Sequence, residues 1–294
     1  KEDQAISLKH KDWLGFSQLQ DVSESSIFID MYPGSHVIVD HYGLDCQWES
    51  NINCESMTVI DDLADRHHKC SLLIDQSLKN TKLNYENLVD GNFDFMGGNL
   101  VILREEFSDE RAWEALGSGK VLICMGGADP KSYTKKILEN IILNHKRCSS
   151  PQDEIEINVI VGSACTDYDD LKSLAVTDKL KVSILFNPEN ISQLMLQSEL
   201  CILSCGTMIL EACALGVPSI GLAVAENQKS TAEFLASSGA IELYDFNNEK
   251  DLSIYRVILD FINNPKKLSL CSKKLKTMVS SDATEIIARR LCES

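Results

Sequence analysis

The stretch LCILSCGTMILEACALGVPSIGLAVA, Leu200–Ala225, decides how the chain folds. It is apolar enough to pass for a membrane span, but a spanning helix wants about 20 uninterrupted apolar residues. Here Ser204, Gly206, Glu211, Gly216, Pro218, Ser219 and Gly221 interrupt the run. A buried strand, a helix and a second strand describe it better. Leu200–Ser204 is a short strand-like run, Cys205-Gly206-Thr207 is a small-residue turn, and the helical spacing that follows stops at Gly216 with Pro218 just beyond.

The same unit recurs outward in both directions. Apolar or β-branched runs at His36–Asp40, Met57–Ile60, Ser71–Asp75, Val121–Met125, Glu156–Val161, Lys181–Phe186 and Val217–Leu222 are each followed by a polar or glycine turn, and then by a helical pattern. Strands alternating with helices imply parallel sheets with crossover connections, so the fold class is α/β. Between Arg104 and Lys120 the pattern lapses into the charged stretch Glu105–Arg111 and Gly117-Ser118-Gly119, which suggests one domain over 1–112 and a second over 113–294. The tail from Asn263 reads as amphipathic helix, with Pro265 at a helix start.

Composition limits the partners. A formal net charge of -16 over 294 residues disfavours nucleic acid and anionic membrane, so a negatively charged nucleotide would have to be held by local donors. The 11 cysteines are scattered without CxxC pairs, which suggests reduced, mostly buried thiols in a cytoplasm-like compartment. A monomer is expected.

Three elements of the C-terminal half carry chemistry. Val121–Met125 runs into Gly126-Gly127-Ala128-Asp129-Pro130, where the glycines would let the backbone approach a ligand closely or simply make a tight turn. Ser204-Cys205-Gly206-Thr207 opens a helix, and free N–H groups with the positive end of the helix dipole suit a diphosphate without any metal. Thr207 is equally readable as a cap. Glu211, one turn further in, is either an acceptor for ribose hydroxyls or a surface glutamate favoured by the dipole. Asn227 and Gln228, in Ala225-Glu226-Asn227-Gln228, place two side-chain amides at a strand-to-helix turn.

Taken together, Val121–Pro130, Ser204–Pro218 and Ala225–Gln228 resemble the UDP-sugar-binding domain of GT-B enzymes. The likeness is to the UDP-2,4-diacetamido-2,4,6-trideoxy-β-L-altropyranose hydrolases of pseudaminic acid biosynthesis; the peptidoglycan UDP-N-acetylglucosamine transferase is a more distant one. The likeness extends to Val37–Asp45 with Trp48-Glu49, and to Ile60–Arg66 continuing through His68 and Cys70 to Asp75-Gln76. It implies a GT-B-like pair of Rossmann-like domains facing a cleft. It also implies a UDP-amino-sugar substrate and no cofactor. Gly126, Gly127 and Ser204 would border the substrate, Gly206 and Thr207 would contact the diphosphate, and Glu211 the ribose. Asn227 and Gln228 would meet the sugar end, Phe186–Asn190 would edge the uracil, and Tyr42 would contact the sugar or position water.

Alternatives stay open. Asp40, Asp61 and Asp62 read equally as helix caps, with Tyr42 packed against a helix. A metal site built from His67, His68, Cys70 and His36 or His41 is disfavoured, because adjacent histidines point in different directions. The family resembled opens with a strand and a Gly-x-Gly-His loop whose histidine is the implied general base. This sequence joins that pattern only around His10–Gln20, so a fragment with a truncated N-terminal domain and little turnover of its own is expected. The implied reaction is inverting hydrolysis that releases UDP. The other readings are a GT-B glycosyltransferase and an inactive nucleotide-sugar-binding module.

Overall fold

The computed structural model describes residues 8–108, 113–114, 117–148, 155–177, 180–246 and 253–293. Two compact units emerge, Lys1–Ile102 with Ala283–Ser294, and Leu103–Asp282.

In the first unit, strands β1 (His36–Val39), β2 (Ser56–Ile60), β3 (Leu72–Ile74) and β4 (Asp94–Met96) form a parallel sheet in the order β1-β2-β3-β4. Helix α1 (Gln18–Ile29) precedes the first strand, and helices α2 (Cys46–Glu49) and α3 (Lys82–Tyr85) lie in the connections between strands. The run Leu72-Leu73-Ile74 is wholly buried because the sheet is covered on both faces. Strand alternation sends Leu73 into one cluster with Val39, Trp48, Val59 and Tyr85, and Leu72 and Ile74 into another with Met96.

The second unit contains β5 (Lys120–Cys124), α4 (Tyr133–Cys148), β6 (Glu156–Val161), α5 (Tyr168–Leu174), β7 (Lys181–Phe186) and α6 (Ile191–Leu196). It continues with β8 (Leu200–Ser204), α7 (Thr207–Leu215), β9 (Ser219–Leu222), α8 (Lys229–Ser237), β10 (Glu242–Leu243), α9 (Ile254–Ile262) and α10 (Pro265–Leu275). Among the described residues its six strands are all parallel, in the order β10-β9-β8-β5-β6-β7. This is a doubly wound arrangement whose strand order reverses between β5 and β8. At such a switch point two crossovers leave in opposite directions and open a crevice beyond the carboxyl ends of the strands.

The apolar stretch Leu200–Ala225 forms β8, α7 and β9, with every residue of both strands buried. Among the described residues, no helix is long and apolar enough to cross a membrane. Asn264 caps α10 by accepting from the Lys267 amide, and Pro265 occupies its first turn. Cys70, Cys124, Cys201, Cys205, Cys213 and Cys271 are buried free thiols.

The division of the chain departs from the expected 112/113 boundary, where residues 109–112 lie outside the described ones. The stretch starting at Leu103 belongs to the second unit because its side chains are anchored there. Glu106 accepts from the Ser192 amide at 2.9 Å, and Trp113 Nε1 donates to the Ser198 carbonyl at 2.7 Å. The last helix, α11 (Ala283–Cys292), returns to the first unit. There Ile287 packs with Leu72, Ile74 and Met96, and Arg290 pairs with Asp94.

Candidate nucleotide site

A cavity of about 640 Å³ lies in the second unit at the carboxyl ends of β5, β6, β8 and β9, within the range of small-molecule sites. Gly126, Gly127, Ser204, Gly206, Thr207, Glu211, Asn227 and Gln228 all line it. The sequence separates these residues widely. The switch point brings them together.

The β5 side is made by main chain. Gly126 has φ +93°, a conformation that disfavours side chains, and carries the chain out of the strand. Gly162, after β6, approaches so closely that a Cβ there would stand 2.4 Å from the Gly127 carbonyl oxygen and 2.5 Å from its Cα. Asp129 is buried and accepts from the amides of Tyr133 and Thr134, at 2.9 and 2.7 Å, so it caps α4.

The β8 side is the start of α7. Gly206, not Thr207, is the N-cap; it offers no side-chain hydrogen bond, and Thr207 is the first helical residue. The first amides of a helix have no partner within it and carry partial positive charge, which favours an anion at this edge of the cavity. Gln228 backs the loop, its Oε1 accepting from the Val224 amide at 3.1 Å while its amide packs on Gly206. Asn227 and Gln228 sit on the 3-10 turn Glu226–Gln228 and are half-buried. Asn187 and Pro188, from the loop after β7, line the same cavity.

Glu211 is a buried carboxylate rather than a surface one. Its side chain is 1% exposed, and Arg104 holds both oxygens, Nε to Oε1 at 2.7 Å and Nη2 to Oε2 at 2.9 Å. Burial pushes the Glu211 carboxyl upward and the Arg104 pair opposes the shift. The same pair raises the guanidinium. Sequence reasoning missed Arg104 altogether. It lies 107 residues from Glu211 in a charged stretch that reads as a boundary, and no local spacing signals the pair.

In the first unit, Tyr42 follows β1 and donates its hydroxyl to Asp62 Oδ1 at 2.7 Å, with the rings of His10 and Trp13 against its own. Burial, together with the neighbouring carboxylates Asp61 and Asp75, raises Asp62 to about 6 despite the Tyr42 hydrogen bond. Asp40 is exposed. Asp61 is buried and accepts from the Ala64 amide and from Arg66. His41 turns onto its own loop, its Nδ1 accepting from the Gly43 amide at 2.9 Å. His67 is exposed, whereas His68 is buried with Nδ1 2.7 Å from Glu49; His36 bonds Thr58 and Ser56. Among the described residues, no group of three or more His, Cys, Asp or Glu is arranged to hold a metal ion.

No protein-family model matches the sequence. The chain is distantly related to the UDP-2,4-diacetamido-2,4,6-trideoxy-β-L-altropyranose hydrolase of Campylobacter jejuni, with 28% identity over 207 residues, 69% of this chain and 71% of that protein. It is 30% identical over 210 residues to an uncharacterized protein of Methanocaldococcus jannaschii, covering 66% of this chain but 41% of that longer protein. Among solved structures it resembles Acinetobacter baumannii MurG, with TM-score 0.60 and 12% identity over 94% of this chain and 78% of that one. It also resembles the spinosyn rhamnosyltransferase SpnG complexed with thymidine diphosphate, with TM-score 0.61 and 14% identity over 96% of this chain and 80% of that one. With the two parallel sheets, these likenesses identify the fold as GT-B-like, built of two Rossmann-like units.

Proposed function

We propose that the chain processes a nucleotide sugar, and specifically that it binds a UDP-activated diacetamido-trideoxy sugar and hydrolyses it to UDP and free sugar. The observation that carries this reading is the convergence, at one switch-point cavity, of the glycine turn after β5, the start of α7 and the amide pair Asn227-Gln228. The distant relationship to the altropyranose hydrolase supports the choice of substrate.

In this reading the diphosphate lies at Gly206 and Thr207, against the first amides of α7. Gly126, Gly127 and Ser204 border it, and Glu211 accepts from the ribose hydroxyls. Asn227 and Gln228 meet the sugar end, and the backbone around Asn187 edges the base. Water adds to the anomeric carbon, the bond from that carbon to the phosphate oxygen breaks, and UDP departs with the bonding electrons while the water's proton passes to solvent. Donors already aimed at the leaving diphosphate stabilise the charge that develops on it.

Incubation with the diacetamido sugar nucleotide, without any acceptor, tests the assignment. Equimolar UDP and free sugar are expected, with inversion at the anomeric carbon. Release that requires an added acceptor would overturn hydrolysis in favour of glycosyl transfer. UDP binding without release would reduce the chain to a nucleotide-sugar-binding module.

A further inference from the structure

Arg104 and Glu211 are unequally exposed. The carboxylate is 1% exposed and the arginine side chain 47% exposed, so the guanidinium covers its partner on the cavity side. Nε and Nη2 hold the two oxygens of Glu211, and Nη1 lies 3.1 Å from Glu106 Oε1. A guanidinium carries five N–H donors, and the two hydrogen bonds to Glu211 use one on Nε and one on Nη2, which leaves donors on both Nη atoms that can recognise a phosphate. Among the described residues lining the cavity, Arg104 is the sole cation, while Asp129 and Glu211 both carry carboxylates.

Two requirements therefore meet at one side chain. A buried carboxylate needs a partner to remain ionised, and Arg104 supplies it. A ribose diol can reach Glu211 only if that guanidinium gives way. A guanidinium that gives way here stays in the cavity that takes the diphosphate, in a chain whose overall charge is otherwise unfavourable to it.

Resting on the reading of this cavity as a UDP site, we propose that Arg104 is an exchangeable counter-ion. It neutralises Glu211 in the arrangement seen here. When the ribose hydroxyls take over that carboxylate, its guanidinium passes to the diphosphate. Arg104 is thus the residue that makes the site prefer a nucleoside diphosphate to the uncharged nucleoside.

The experiment compares UDP and uridine binding to the whole chain and to Arg104→Gln and Arg104→Lys, with thermal melting of each to verify folding. Arg104→Gln should weaken UDP tenfold or more, the size of one charge-assisted contact, while uridine affinity changes less than about threefold or improves. Arg104→Lys keeps the charge without the fork and should retain part of the UDP preference. Equal weakening of both ligands by Arg104→Gln would mean that Arg104 only supports Glu211, and would overturn the exchange; so would unchanged UDP affinity. If the unaltered chain binds no UDP, the underlying nucleotide reading fails, a result distinct from either.

Discussion

The Tyr42 hydroxyl donates to Asp62 Oδ1 at 2.7 Å, just beyond the carboxyl end of β2, and Asp61 and Asp75 also act on that carboxyl. Burial and these neighbours raise Asp62 from 3.8 to about 6. An acid with a higher pKa when folded binds its proton more tightly in the fold, so its ionisation erodes stability as pH rises from about 4 through about 6. Asp62→Asn keeps an acceptor for Tyr42 and removes the ionisation. The variant should be more stable than the parent above pH 6, by about 1 kcal/mol after allowing for solvent screening, and the advantage should vanish near pH 4. Urea unfolding at a series of pH values measures this. Parallel profiles would contradict it.

Gly162 packs on Gly127 backbone to backbone, with no flexible side chain to yield. Gly162→Ala should therefore displace the Gly126-Gly127 turn, costing about 1–3 kcal/mol of stability, as overpacking does. UDP binding should fall in the same variant, because the displaced turn lines the cavity. A variant that melts like the parent and binds UDP equally well would show that the turn is not a binding element.

In the proposed site, backbone amides and Arg104 are the groups that meet the diphosphate. A chelator should consequently leave UDP affinity within about a factor of two, well short of the tenfold that 1.4 kcal/mol represents. A large loss on chelation would point to a cation between the diphosphate and the carboxylates of Asp129 and Glu211.

Much of this architecture is legible in the chain itself, because parallel strands covered on both faces must be continuous apolar runs. Leu200–Ser204 begins and ends where its composition predicts, and so do Glu156–Val161 and the edge strand Lys181–Phe186, although the last is only partly buried. Asp94–Met96 and Glu242–Leu243 escape because they are three and two residues long, too short for a run to stand out. The amphipathic pattern of α11 shows that one of its faces is covered, but the cover comes from Leu72, Ile74 and Met96, far away in the chain. The cavity-lining glycines and amides follow strands and are visible as turns. The burial of Glu211 and its pairing with Arg104 depend on a contact across the chain, which no local pattern encodes.

In the proposed function, the cavity of the second unit holds a uridine diphosphate with its ribose on Glu211. Calorimetric titration of UDP into the unaltered chain and into Glu211→Ala tests this. Saturable binding of one UDP per chain is expected, weakened in the variant by about 1.5–3 kcal/mol, the range for hydrogen bonds to a charged group. Equal affinity in the two proteins would contradict the ribose assignment, and the absence of saturable binding to the unaltered chain would contradict the site itself.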